Sequence, residues 1–193
     1  MLSFLQMLIT GLYVMTSVIG LKTIGFGPTV VVSGVIFIAI VKPLLDIINE
    51  LYGAQETRKT VIYMSIVRTL VFIGVWGVAL IPAFKEPAGF NTILQGSIWL
   101  FLFGVVAELI ASLAIDIPIF TWLKENTKQG FLVRQYLSNV SLVIQSLVFS
   151  GLYVLLMPQV PFFKVLVGQI FALVVISSVL APFAALVVRK LRK

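Results

Sequence analysis

Hydrophobic residues form six long, nearly uninterrupted runs along the chain. The runs cover residues 2–21, 29–48, 60–83, 92–115, 137–157 and 162–188. A helix needs about 20 apolar residues to cross the hydrocarbon core of a bilayer, and the runs are of that order. They are continuous rather than alternating, which argues against a membrane β-barrel. The pattern therefore predicts an all-α integral membrane protein, a bundle of six transmembrane helices.

The connections between the runs are short and contain turn residues. They cover residues 22–28, 50–59, 84–91, 121–135 and 158–161. No linker separates a second domain, so we expect residues 1–193 to form a single six-helix transmembrane domain. The fourth run continues towards Trp122, unless Pro118 kinks the helix or ends it early.

Composition supports a membrane location and excludes several kinds of chemistry. Of the 193 residues, 60% are hydrophobic and 11% are charged, against roughly 45–50% and about 25% in soluble domains. The net charge is +7, but the chain has too little polar surface to form a basic groove that binds nucleic acid. Cysteine and histidine are absent, which excludes disulfides, Cys/His metal sites and His-based catalytic triads. We therefore expect no enzyme activity, no metal and no cofactor.

The distribution of basic residues predicts the orientation in the membrane. If the amino terminus is cytoplasmic and there are six spans, nine of the 14 Lys and Arg residues lie in cytoplasmic segments and three lie outside. The cytoplasmic ones are Arg58, Lys59, Lys124, Lys128, Arg134, Arg189, Lys190, Arg192 and Lys193. This distribution obeys the positive-inside rule. Both termini are therefore expected in the cytoplasm.

Charged residues inside the second and third runs are functional candidates, because a charge at the bilayer centre costs about 2.5–3.5 kcal/mol on insertion scales. Lys42, Asp46 and Glu50 are spaced by four and share one helix face. They form either an ion pair with an interfacial anchor, or the charged wall or gate of a solute cavity. Arg68 is expected to pair with Asp46 or Glu50, since consecutive helices usually neighbour each other, or to contact a ligand directly.

The fourth and fifth runs contain further polar residues at helical spacing. Glu108 has no basic residue three or four positions away, so it must face the bundle interior, water or a partner on another helix. The fifth run has two polar stripes, which either line a cavity or join helices by hydrogen bonds. The stripes are Arg134, Ser138, Ser141 and Gln145, and Gln135, Asn139, Ser146 and Ser150.

These residues together predict one site. We expect a cavity between the second, third, fourth and fifth helices, near the membrane midplane. The candidate residues fall into two groups, those that line the cavity and the charged residues around it. The substrate-binding candidates are Glu108, Asp116, Asn139, Gln145 and Arg68, and the gate or charge-network candidates are Lys42, Asp46, Glu50 and Arg134.

One motif carries a family resemblance. Residues 46–53 read DIINELYG and are followed by Arg58 and Lys59. This stretch resembles the signature of the VUT family of vitamin-uptake and queuosine-precursor transporters. The family has about this length and about six spans, so the resemblance covers most of the chain.

Two further stretches resemble the family pattern less closely. Ser112 and residues 116–120 (DIPIF) fit a Ser-Gln-x-x-Asp segment followed by an apolar pair and Phe, with Leu113 in the place of Gln. Residues 134–146 are similar to an Arg-Asn-Asn…Ser-Thr…Gln-x-x-Asp segment. There, residues 135–136 replace the Asn pair, and the late Asp is not in place.

The resemblance implies a multi-pass protein of a bacterial or archaeal cytoplasmic membrane that takes up 7-deazaguanine precursors of queuosine. Its partners are then the lipid bilayer and a small heterocyclic solute, with a homo-oligomer left open. The alternative is the substrate-binding subunit (S component) of an energy-coupling (ECF-type) vitamin transporter, whose partner is an energising ATPase module. The first run lacks an Ala-xxx-Ala pair for docking such a module.

Overall fold

The structure, a computed structural model, describes residues 1–19, 23–79, 102, 104–156 and 161–192. Helices make up most of it, together with one short β-hairpin. The helices are α1 Leu2–Ile19, α2 Gly34–Tyr52, α3 Ala54–Ala79, α4 Gly104–Asn126, α5 Phe131–Ser138, α6 Val140–Leu156 and α7 Phe162–Leu191. The strands are β1 Thr23–Phe26 and β2 Thr29–Val32.

Within the described residues, four helical stretches are long and apolar enough to cross a membrane. They are Ala54–Val78, Gly104–Asn126, Phe131–Leu155 and Phe162–Leu191, and the shorter Leu2–Thr16 is also apolar. Large apolar side chains such as Leu70, Leu155 and Phe183 are exposed, whereas Asp46 and Glu108 are buried. This inversion of the soluble pattern suits a lipid surrounding, since contiguous exposed apolar surface is rare on soluble monomers. The chain is a multi-pass integral membrane protein.

Helix α2 lies at the centre of the bundle. It packs against α1, α3, α4 and α7. Ile47 and Ile48 of α2 lie in a core that also contains Tyr13 of α1 and Phe120 of α4. Because neighbouring helices surround α2, its charged side chains face protein rather than lipid.

The segment before α2 is a hairpin, which corrects the predicted connection at residues 22–28 and the predicted helix start at residue 29. The strands pair antiparallel, with Phe26 opposite Thr29. Gly27 has a φ of +57°, which glycine adopts without steric cost in the tight turns of hairpins. Hydropathy alone did not separate strand from helix here, although β-branched residues such as those of Thr29–Val32 favour strands.

The hairpin rests directly on α7. A Cβ atom added at Gly168 of α7 would lie 2.4 Å from the carbonyl oxygen of Val30. That distance is shorter than any real van der Waals contact of a methyl group, so only glycine allows the backbone of β2 to approach so closely.

A single residue, Gly53, separates α2 from α3, where the sequence had predicted a connection over residues 50–59. Gly53 has a φ of +88°, and its N–H donates to the carbonyl oxygen of Asn49 at 3.1 Å. A glycine in this conformation ends α2 at low cost. Helix α3 therefore starts at Ala54, earlier than residue 60.

Helix α4 does not end at Pro118 but continues to Asn126. The segment Ser112–Asp116 is π-helical, and the N–H of Ile117 donates to the carbonyl oxygen of Ser112, five residues earlier. Proline lacks an N–H, and its ring clashes with the carbonyl of the preceding turn in a regular helix. The wider π turn directly before Pro118 accommodates the proline.

The remaining boundaries differ in smaller ways. The predicted fifth span, 137–157, is helical already from Phe131, with a break at Asn139 between α5 and α6. The predicted sixth span, 162–188, is confirmed as α7. Residues 80–101 and 157–160 lie outside the described residues, and with them the predicted connection at 84–91 and all but the last residue of the one at 158–161.

Candidate functional site

The ammonium group of Lys42 lies between two carboxylates. Its Nζ is 2.8 and 2.9 Å from Oδ1 and Oδ2 of Asp46 and 2.8 Å from Oδ1 of Asp116. All three residues are at most 3% exposed. We call Lys42, Asp46 and Asp116 the inner cluster. The predicted Lys42–Asp46 pair is therefore present, and a second carboxylate from α4 joins it.

Hydroxyl groups of α5 and α6 complete the inner cluster. Lys42 Nζ donates to Oγ of Ser138 at 3.1 Å, and Ser141 Oγ donates to Oδ1 of Asp116 at 2.6 Å. The ring of Phe120 lies 5.8 Å from the ammonium group, within range of a cation–π interaction. The cluster thus ties α2, α4, α5 and α6 together.

A small cavity adjoins the inner cluster. Its lining comes from α2 (Ile38, Val41, Lys42, Leu45), α3 (Met64), α4 (Glu108, Ser112, Asp116) and α6 (Gln145). Its volume is about 10 Å³, room for roughly one water molecule. A planar base therefore fits only if the surrounding side chains or helices move apart.

Two polar side chains that line the cavity form no hydrogen bond with a described residue. Gln145 is 3% exposed and lines the cavity, yet no hydrogen bond joins its amide to another residue in the described part of the chain. The same holds for the hydroxyl of Ser112. A buried amide without a partner costs stability, so this pair of groups is a candidate for contacting a solute.

Arg68 pairs with Glu108, so the expected pairing with Asp46 or Glu50 is wrong. Arg68 Nη1 donates to Glu108 Oε2 at 2.7 Å, and the guanidinium lies 4.5 Å from the ring centroid of Tyr13. The partner choice follows from packing, because α3 faces α4 at this depth while Asp46 and Glu50 are already occupied by other cations. Glu108 thus has its partner on another helix, as its sequence context required.

A second group of charges lies near the end of α2. The Oε1 atom of Glu50 accepts from Nη2 of Arg134 at 2.6 Å and also from Arg192. Arg134 donates further to the carbonyl oxygen of Gln129 at 2.5 Å. We call Glu50, Arg134 and Arg192 the outer cluster. The basic carboxyl-terminal segment, interpreted from sequence as an orientation signal, therefore also contacts the protein itself.

Lys124 closes the end of α2 beside the outer cluster. Its Nζ donates to the carbonyl oxygens of Asn49 and Glu50 at 2.9 and 3.0 Å. Cations at the carboxyl end of a helix satisfy its free carbonyls and interact favourably with its dipole. The sequence predicted a cytoplasmic position for Lys124 but not this contact.

Asn139 does not reach the cavity, although it was predicted to line it. Its Nδ2 donates to Ser178 Oγ at 3.1 Å, and its Oδ1 accepts from Ser177 Oγ at 3.1 Å. Asn139 lies at the break between α5 and α6, which turns its side chain towards α7. Its observed contacts are those of a residue that joins helices.

Comparison with known families gives one match. A family model described as "Putative vitamin uptake transporter" matches residues 32–187, the greater part of the chain. The matched range includes the cavity, the inner cluster, and Glu50 and Arg134 of the outer cluster. No curated protein and no solved structure matches the chain.

Proposed function

The chain belongs to the vitamin uptake transporter family, and from this premise we propose that it is a stand-alone transporter for a flat, guanine-like base, a 7-deazaguanine precursor of queuosine. The observation that carries the proposal is the amide of Gln145, which forms no hydrogen bond with a residue that the structure describes and lines the same cavity as Glu108 and Asp116. Family membership supports transport as the function. Six spans with both termini in the cytoplasm are part of the proposal.

The chemistry of a guanine-like edge suits these groups. Such an edge offers adjacent N–H donors beside acceptor atoms, and carboxylates and amides are complementary to both. Arg68 contacts Oε2 of Glu108, which leaves Oε1 to accept an N–H of the base. The Gln145 amide donates to an acceptor of the base and accepts a second N–H. A contact of the base with both oxygens of Glu108 would require Arg68 to move.

The cavity volume sets a condition on this proposal. With room for roughly one water molecule, the cavity must widen before a base enters. It lies between α2, α3, α4 and α6, and helices that rock against each other around a central site are a recurring way for transporters to alternate access.

The test is uptake of a radiolabelled 7-deazaguanine base into liposomes that contain the purified protein and no other component. We expect Gln145→Leu to lower uptake about tenfold, because a lost hydrogen-bonding partner costs about 1–1.5 kcal/mol. The control is Gln169→Leu, since Gln169 is equally buried but contacts Ser150 and not the cavity. It should transport at the wild-type rate.

Two outcomes would overturn the proposal. Wild-type uptake by Gln145→Leu, at equal amounts of inserted protein, would remove Gln145 from the site. Uptake that requires an added ECF-type ATPase module would show that the chain is an S component rather than a stand-alone transporter.

A further inference from the structure

We infer that Asp116 binds a proton that the protein carries inward together with its solute, so that a proton gradient drives uptake. The inference rests on the proposed function for the identity of the solute. It concerns the energy source, which neither the family match nor the cavity lining specifies.

The charge balance around the cavity supports the inference. On α2 and α4, Lys42 faces Asp46 and Asp116, so that one cation faces two carboxylates. On α3 and α4, Arg68 and Glu108 form a balanced pair. The side chains that α5 and α6 add to the inner cluster, Ser138 and Ser141, are neutral. The inner cluster therefore carries a net charge of −1 when both carboxylates are ionised.

An uncompensated charge buried in a membrane protein is costly, and one proton on either carboxylate removes it. A metal cation is a poorer solution. The ammonium group of Lys42 already occupies the position between the carboxylates, where a hard cation would need its oxygen ligands.

The outer cluster does not supply the missing positive charge. There, Arg134 and Arg192 face the single carboxylate of Glu50, a net charge of +1. The side chain of Arg192 is 54% exposed, so solvent screens its charge. Asp46 precedes Glu50 by one helical turn, about 6 Å along the axis, and the contact of Arg192 is with Glu50 rather than with Asp46.

Contacts within the inner cluster distinguish the two carboxylates. Both oxygens of Asp46 accept from Lys42. In Asp116, Oδ1 accepts from Ser141 and contacts Lys42, whereas Oδ2 accepts no hydrogen bond from a residue that the structure describes. Asp116 also lines the cavity. Its Oδ2 is therefore the oxygen at which a proton can bind without displacing a partner.

Proton binding would loosen the same helices that enclose the cavity. When water on the outer side donates a proton to Oδ2 of Asp116, the carboxylate becomes a neutral carboxyl group and its attraction for Lys42 falls. Lys42 stays protonated and bound to Asp46, so α2 keeps its own pair and loses its charged link to α4. Release of the proton on the inner side restores that link.

The transport experiment uses liposomes with an imposed pH gradient, acidic outside, and a radiolabelled 7-deazaguanine base. We expect wild-type protein to accumulate the base and a protonophore to abolish the accumulation. Asp116→Asn should lower gradient-driven accumulation at least about fivefold, while its exchange of base across the membrane falls much less. Glu125→Gln, an exposed site on the same helix, is the matched control and should behave as wild type.

Accumulation that is insensitive to the pH gradient, or that follows a sodium gradient instead, would overturn the inference while leaving the proposed function intact. Absence of both accumulation and exchange would count against the proposed function. A second measurement needs no solute. Infrared difference spectra of the protein in lipid should show a protonated carboxyl band that changes with pH and is lost in Asp116→Asn but kept in Glu125→Gln. If the band is unaffected by Asp116→Asn, Asp116 does not carry the proton.

Discussion

The inner and outer clusters have opposite compositions. In the inner cluster, one cation contacts two carboxylates, and all three residues are at most 3% exposed. In the outer cluster, one carboxylate contacts two guanidinium groups, and one of these, Arg192, is more than half exposed. The difference teaches that a charge imbalance is inexpensive where water reaches it and needs a compensating ion where water does not.

The two clusters share α2 as their support. Asp46 and Glu50 are one turn apart on the same helix, yet they pair with cations from different elements. Lys42 comes from α2 itself, whereas Arg134 and Arg192 come from α5 and the end of α7. The inner cluster therefore joins helices around the cavity, and the outer cluster joins the chain end to the bundle.

The strongest test of the comparison between the two clusters is the membrane topology of the chain. We expect reporter fusions after Lys193 and within residues 84–91 to report opposite sides of the membrane, because the positive-inside rule gives both termini to the cytoplasm. The outer cluster then faces the cytoplasm. Reporters on the same side would remove the six-helix arrangement.

Lys42→Met should produce the largest loss of stability. It leaves two buried carboxylates without their cation, and breaking a buried ion pair costs about 3–5 kcal/mol. The free energy of unfolding in mixed detergent micelles measures the effect. Lys59→Met is the control, since Lys59 pairs with Glu56 at the exposed start of α3, where an ion pair adds little to stability.

A second variant sharpens the Lys42 test. Adding Asp116→Asn to Lys42→Met should recover part of the lost stability, because one of the two unpaired carboxylates is gone. A double variant as unstable as the single one would show that Lys42 acts through packing rather than through charge.

Arg134→Met should cost about 3 kcal/mol, the lower end for a buried pair, because Arg192 stays with Glu50. Unfolding in the same micelles measures the loss. A loss below about 1 kcal/mol would mean that Glu50 is solvated and that the outer cluster is a surface feature throughout.

Arg192→Ala should have the smallest effect, about 0–1 kcal/mol, since its side chain is largely exposed and Arg134 remains. Raising the salt concentration should reduce this difference further. A loss equal to that of Arg134→Met would contradict the distinction between the two arginines of the outer cluster.

Much of the helical architecture was predictable from hydropathy, because a span is defined by its length and apolar content. The run at 162–188 matches α7 almost residue for residue. The run that starts at residue 29 does not, since a buried strand and a buried helix have the same hydropathy. Two features depend on local backbone geometry, namely the π turn at Ser112–Asp116 and the single-residue junction at Gly53. The helical spacing of polar residues in the sequence does not reveal such geometry.

The candidate site was predictable only in part. Glu108, Asp116 and Gln145 do line one cavity, because buried polar groups avoid lipid and so gather inside the bundle. Their partners were not predictable, since the partner of Arg68 and the direction of Asn139 depend on how helices rotate against each other. Ser141, which contacts Asp116, was recognisable from its place in a polar stripe but not as a partner of that carboxylate.

Gly168 fixes how the protein can divide into moving parts. The carbonyl oxygen of Val30 lies where a side chain of α7 would begin, so no side chain separates strand from helix at Gly168, and Val31 packs beside it against Ala172 and Leu173 of α7. The hairpin and α7 therefore behave as one rigid unit. If the bundle opens at that end, the hairpin and α7 must move together. The hinge for this movement must then lie in another part of the bundle.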